Sequence, residues 1–274
     1  MRTSAEAADD TTWHAPQPVT IRGWDDDAME PFLTRDGQWL LFNNRNEPAD
    51  RTDLHVARRV DDTTFAYVGP LEAINRPVLD AVATVDAAGH MYFISMRDYF
   101  ASTGTVHAAT FANGTASDVS RVLSVVTGQR GLVHFDVEVS ADGAELIVAL
   151  GRFTGAPVPA SSDFVLYERT RRGFRRSASS DAMFANINTA ALEYAAGLSA
   201  DGLELCFTRI DVALHQPPAL YLARRAATTL PWGAPRYIRA AAGFVEAGTF
   251  APDGRALYYH VLTGRRFTIA RIAR

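Results

Sequence analysis

Lysine is absent from this chain: all 27 basic residues are arginine. That excludes Schiff-base catalysis on a lysine, a lysine-bearing phosphate loop and an internal pyridoxal-phosphate site. Cysteine is nearly absent too. The single Cys206 rules out an internal disulfide and a cysteine-built metal cage. It lies in the apolar run Leu203-Glu204-Leu205-Cys206-Phe207 and reads as a packed strand residue rather than a reactive thiol. No apolar run approaches the roughly 20 residues that span a bilayer. The acidic start MRTSAEAADDTT lacks the apolar centre of a secretory leader, which points to the cytoplasm, or to the periplasm if a leader has been removed. A net charge of -4 gives no broad basic face for nucleic acid or membrane. The seven histidines show no local metal spacing, and the sequence calls for neither metal nor cofactor.

What the chain has instead is a repeat. Five segments share an apolar strand, a tight glycine turn, a second strand, a polar loop and a third strand. The turn glycines are Gly37, Gly89, Gly143, Gly202 and Gly254, spaced 52, 54, 59 and 52 residues apart. Four follow aspartate, and Gly89 follows Ala88. A D-G pair between apolar runs marks a hairpin because glycine accepts the positive φ of the turn. Repeats of this length with about four strands are propeller blades, which bury their faces only by stacking around an axis.

The fifth repeat ends without a fourth strand. Trp13-His14-Ala15-Pro16, followed by Ile21-Arg22, parallels Trp232-Gly233-Ala234-Pro235, followed by Ile238-Arg239, at the outer strand of repeat four. The N-terminal segment is therefore expected to complete the last blade and hide an open sheet edge. The expected architecture is an all-β, five-bladed propeller of four-stranded blades. Residues 1–12 form a disordered tail, 13–27 the closing strand, and the blades span about 28–78, 79–132, 133–191, 192–244 and 245–274.

The segments resemble the PD40, WD40-like repeat of TolB-type propellers, on Pro31 to Arg45, on Phe93-Ile94-Ser95-Met96-Arg97 and on Ala251-Pro252-Asp253-Gly254. His260 stands where that pattern expects arginine. The resemblance implies the fold and no particular activity, because such repeats serve enzymes, adaptors and binding modules alike.

Candidate chemistry lies at the channel mouth. Ahead of each inner strand stands a carboxylate: Glu30, Asp80, Asp136, Glu193 and Glu246, which precede their turn glycines by 7, 9, 7, 9 and 8 residues. Strand parity groups the first four and sets Glu246 apart. Arg45, Arg97, Arg152, Arg209 and, in the fifth repeat, His260 follow the glycines by 8, 8, 9, 7 and 6 residues, at the same end of the ring. His134, two residues before Asp136, offers an acid–base pair on one strand face. The acidic run Asp25-Asp26-Asp27 reads as a solvated loop.

Three functions fit these residues. One is a monomeric module that binds a small polar, anionic or carbohydrate-like ligand at an arginine-lined mouth. The second is a glycoside hydrolase or lyase-type enzyme that works through the inner-strand carboxylates, with His134 or His260 as a candidate base. The third is a platform for a protein partner.

Overall fold

The computed structural model describes residues 9–10, 12–46 and 51–274. Residues 1–8 and 11 of the expected tail lie outside that range. Asp9 and Asp10, assigned by the sequence reading to a disordered tail, are docked: Asp9 bridges to Tyr237, and Asp10 is buried with its carboxylate 3.1 Å from Arg224.

The short strands β1 (Gln17–Pro18) and β2 (Thr20–Arg22) precede five runs of up-and-down strands. The first run is β3 (Met29–Leu33), β4 (Trp39–Asn43), β5 (Leu54–Arg59) and β6 (Thr64–Pro70). The second is β7 (Asp80–Val85), β8 (His90–Ser95), β9 (Val106–Ala112) and β10 (Thr115–Arg121). The third is β11 (Leu132–Val139), β12 (Glu145–Arg152), β13 (Ser161–Thr170) and β14 (Gly173–Arg176). The fourth is β15 (Leu192–Leu198), β16 (Glu204–Ile210), β17 (Ala219–Arg224) and β18 (Arg236–Tyr237). The last is β19 (Val245–Phe250), β20 (Ala256–Thr263) and β21 (Arg266–Ala273). The third and fourth runs are hydrogen-bonded into one eight-stranded sheet through a single parallel pair, Ser162 with Leu192. The N-terminal segment divides between two sheets. β1 pairs antiparallel with β21, whereas β2 pairs parallel with β6 of the first run.

The first strands of the runs, β3, β7, β11, β15 and β19, pack side by side in that order, and β19 packs back against β3. This is a β-propeller, with its inner strands around one axis. Apolar side chains alternate along the strands and fill five clusters, each drawn from two consecutive runs. One of these joins the last run to the first, with Tyr258 and Ile269 against Leu33, Phe42 and Phe65. Trp13 is buried in the cluster between the fourth and last runs.

The turn glycines carry φ of 69°, 89°, 69°, 68° and 70°, which supports the hairpin reading. In the second repeat, where alanine replaces the turn aspartate, Asp86 takes over its task. Its Oδ1 accepts the Ala88 and His90 N–H groups, as Asp142 Oδ1 accepts the Ala144 N–H in the third repeat.

Two inner-strand glycines owe their place to close approach. A Cβ on Gly248 would sit 2.4 Å from the Cys206 sulfur, and one on Gly197 would sit 2.0 Å from the Gly248 carbonyl oxygen. Cys206 is thus the packed residue expected from its sequence context, fully buried behind the channel wall. Gly248→Ala is expected to lower stability by about 1–3 kcal/mol through overpacking. Cys206→Ala in the same chain should relieve most of that loss. Denaturant unfolding of both single variants and the double variant checks this.

Candidate functional site

A recurrent kink in the inner strands positions the site. Each of the five pairings between a first and second strand breaks register once, at 29–32, 81–84, 134–136, 194–197 and 246–249. Such bulges re-aim side chains and reset the two-residue alternation. Glu30, Val82, Ala195 and Ala247 adopt φ of 50° to 55° there. Each stands seven residues before its turn glycine, and the matching residue of the third repeat is Asp136. Holding non-glycine residues left-handed costs on the order of 1 kcal/mol or more each, a cost that persists only where the surroundings enforce it.

The bulges separate the five predicted carboxylates. Glu30 and Asp136 face the axis and line a small cavity of about 30 Å³ with Phe32, Val82, Ala195 and Ala247. That volume holds a water molecule rather than a sugar ring, so any larger ligand must lie at the mouth. Asp80 and Glu193, nine residues before their glycines, lie on the far side of the kink. Both are fully buried in ion pairs, Asp80 with Arg97 at 2.6 Å and Glu193 with Arg209 at 2.8 Å. The two assemblies match further. Asp80 accepts the Arg76 N–H and Glu193 the Thr189 N–H, while Arg97 and Arg209 also donate to the carbonyls of Ile74 and Ile187.

Asp27 plays this part in the first repeat. Arg45 binds it at 2.7 Å, and Asp27 accepts the Phe267 N–H. The reading of Asp25–Asp27 as one solvated loop is therefore corrected at Asp27, which is buried. In the third repeat the equivalent position is His134, whose Nε2 meets the Tyr167 hydroxyl at 3.1 Å. The bulge at 134–136 turns it away from Asp136, so the expected acid–base pair does not form. Arg152 is exposed at the end of β12. Of the arginines expected at the mouth, Arg45, Arg97 and Arg209 are held in carboxylate pairs.

Glu246, which parity had set apart, joins the axial acids. Its Oε2 lies 2.9 Å from His260 Nε2, and its Oε1 accepts the Tyr194 hydroxyl. His260 Nδ1 accepts the Glu30 N–H at 3.1 Å, so Nε2 carries the proton and donates to Glu246. His260 is not a counterpart of the arginines. Six residues after its glycine, it matches Asn43 and Thr208, which accept the bulge N–H groups of Val82 and Ala247. Tyr194 was not singled out by the sequence reading. Its one signal is its place directly before the bulge residue Ala195.

Electrostatics set the three axial acids apart from one another. Burial pushes Glu30 up to about 8, and the charges of Asp136 and Glu246 add to it. Burial also pushes Asp136 up to about 8, reinforced by Glu138 and Glu246 and opposed by the Ala195 and Val137 N–H groups. Burial raises Glu246 too, but hydrogen bonds from His260 and Tyr194 outweigh it and hold Glu246 below the ordinary value. The cluster thus keeps one firm carboxylate beside two acids that retain a proton near neutrality. Among the described residues no group of three or more His, Cys, Asp or Glu side chains is arranged to hold a metal ion.

An aromatic wall flanks the acids. Phe135 packs against Phe153 at 5.6 Å and against Tyr194 at 5.9 Å between ring centroids. Phe153 opens the loop after β12, so that loop rises at the acid end of the ring.

No protein-family model matches the chain, and no characterised protein matches it in sequence. Solved structures do match in fold. A glycoside hydrolase aligns over 96% of this chain and 91% of its own, with 12% identity and a TM-score of 0.64. A family 117 glycoside hydrolase of the marine bacterium Zobellia galactanivorans covers 94% and 90%, with 11% identity and a TM-score of 0.61. The catalytic domain of a Coprinopsis cinerea GH62 alpha-L-arabinofuranosidase covers 95% and 96%, with 10% identity and a TM-score of 0.60. TolB of Acinetobacter baumannii aligns over 91% of this chain at a TM-score of 0.48, and this chain spans 55% of its length. At these identities the likeness is one of fold, and the fold it supports is the β-propeller.

Proposed function

We propose that the chain is a five-bladed propeller, closed by its N-terminal strand, that cleaves a glycosidic bond by general acid–base catalysis at the channel mouth. The observation that carries this reading is that Glu30 and Asp136 line one axial cavity, with Glu246 held beside them by His260 and Tyr194, where burial favours a proton on the first two and hydrogen bonds favour charge on the third. Glycoside cleavage needs this division: a protonated acid for the leaving oxygen and an ionised carboxylate to activate water or stabilise the developing cation. Glu30 or Asp136 supplies the proton, and Glu246 supplies the carboxylate. His260 and Tyr194 are positioning residues that hold Glu246 ionised. The wall of Phe135 and Phe153 offers an apolar face to a sugar ring, and Asp80, Glu193, Arg97 and Arg209 serve the scaffold. The fold neighbours that are glycoside hydrolases agree with this reading. It replaces anion capture as the leading function, because three of the arginines expected at the mouth already have carboxylate partners.

The test is turnover of a panel of 4-nitrophenyl glycosides and oligosaccharides by wild type, Glu30→Gln, Asp136→Asn and Glu246→Gln. The expected result is turnover of one glycoside class, lowered about 10²- to 10⁴-fold in kcat by loss of the acid or the carboxylate. Binding of a sugar without turnover would support a lectin-like module instead. Turnover untouched by all three substitutions would place the chemistry elsewhere.

A further inference from the structure

The axial cavity has a floor as well as a mouth. Arg35, in the first hairpin turn, reaches across the axis. Its Nη2 donates to Glu138 Oε1 at 2.8 Å and to the Val139 carbonyl at 2.7 Å, and its Nη1 donates to the Leu198 carbonyl at 3.0 Å. Glu138 completes the knot. Its Oε2 accepts the Thr84 hydroxyl at 2.6 Å, and its Oε1 also accepts the Leu198 N–H at 3.1 Å. One guanidinium–carboxylate pair therefore ties together the first four repeats at the end of the channel remote from the aromatic wall. Both side chains are largely buried, with 10% and 3% of their surface exposed.

The fold already has its structural carboxylate–arginine pairs outside the axis, at Asp27, Asp80 and Glu193. Arg35–Glu138 differs in place: Glu138 lines the same cavity as Glu30 and Asp136. It follows Asp136 by two residues beyond the bulge, where regular alternation puts both side chains on the axial face. We propose that Arg35 is a positioning residue of the acid cluster, sealing the channel floor and offsetting part of the charge of Glu138 directly behind Asp136. The groups facing Asp136 are Glu138 on its own strand, Glu30 from β3, Tyr194 from β15 and Glu246 from β19. All are acidic or phenolic. Arg35 is the cation that reaches this axial set from below, while His260 donates a hydrogen bond to it from the side. Glu138 already adds to the pressure that favours protonated Asp136, and without Arg35 its charge would act with no counter-charge beside it.

This role of Arg35 rests on the proposed site, yet it can be tested without a substrate. The carboxyl carbon of Asp136 is titrated by carbon-13 NMR in wild type, Arg35→Met, Glu138→Gln and Arg35→Met/Glu138→Gln. Arg35→Met is expected to move the Asp136 midpoint upward by about one pH unit. Glu138→Gln alone should move it downward, because the guanidinium is then unopposed, and this variant serves if Arg35→Met fails to fold. The double variant should return the midpoint to near the wild-type value. A purely structural knot would lower the melting temperature in the single variants and leave the midpoint in place, which overturns the proposal. If the midpoints move as expected while no glycoside is turned over, the floor stands and the hydrolase reading falls.

Discussion

Asp136→Asn should lower turnover about 10²- to 10⁴-fold and, at pH 8, make the protein more stable than wild type. Asp136 is 3% exposed and shares its cavity with Glu30, under the charges of Glu138 and Glu246. Its folded pKa, about 8, lies above the ordinary 3.8. A carboxyl shifted upward contributes stability that is complete below the ordinary value and is lost as pH rises through the folded one. Together with Glu30, which behaves alike, wild type should lose stability steadily between pH 4 and pH 8, by about 1.4 kcal/mol per pH unit for each carboxyl that stays protonated over that range. Asparagine keeps a carbonyl for the Ala195 N–H and has no charge to desolvate.

Two buried histidines act in the opposite sense. His55 and His134 are each pushed down to about 4 by burial. Their contribution is complete above the ordinary 6.5 and is lost as pH falls through 4. Between pH 4 and 6.5 the acids and the histidines therefore offset each other in wild type. In Asp136→Asn much of the acid contribution is gone, and the loss of stability on acidification should emerge. Urea unfolding of both proteins across pH 4 to 9 checks the crossing. An Asp136→Asn protein less stable than wild type at every pH would contradict the assigned burden on the native carboxyl.

Arg209→Met should be the most damaging single substitution outside the axis, at about 3–5 kcal/mol. It leaves Glu193 fully buried with its charge opposed only by the Thr189 hydroxyl and N–H. It also removes the donor to the Ile187 carbonyl and the guanidinium stacked 4.8 Å from the Tyr221 ring. Adding Glu193→Gln should restore part of the loss, since a neutral amide no longer needs a counter-charge. Specific activity of the folded fraction should be unchanged in both. Chemical denaturation measures the first effect, and activity per folded molecule the second. A large drop in activity without loss of stability would return Glu193 and Arg209 to the site.

The propeller was legible in the sequence because its determinants are local and repeated. Turn glycines at a steady period and the match of Trp13 to Trp232 specified hairpins and a strand that pairs with the final one, and both tryptophans are buried. The site was half legible. The sequence picked out Glu30, Asp136, Glu246 and His260, but it mixed them with Asp80, Glu193 and His134, which point elsewhere. The cause is the bulge. Alternation by two residues predicts facing only along an unbroken strand, and every inner strand here is broken once between its acids and its turn. Counting from the turn glycine recovers the pattern: seven residues back lies on the axis, and nine lies between sheets. Asp27 sits ten residues back, where no count of nine would find it. The Arg35–Glu138 knot joins residues 103 apart in the chain, and no local pattern marks such a contact.

Glu30 or Asp136 must keep its proton near neutral pH for the proposed chemistry. Site-resolved carbon-13 titration of their side-chain carboxyls in wild type tests it most directly. The expected result is that at least one titrates near pH 8, while Glu246 is ionised throughout. Midpoints below pH 5 for both would mean two fully ionised carboxylates, no proton donor at the axis, and no acid–base chemistry of the kind proposed.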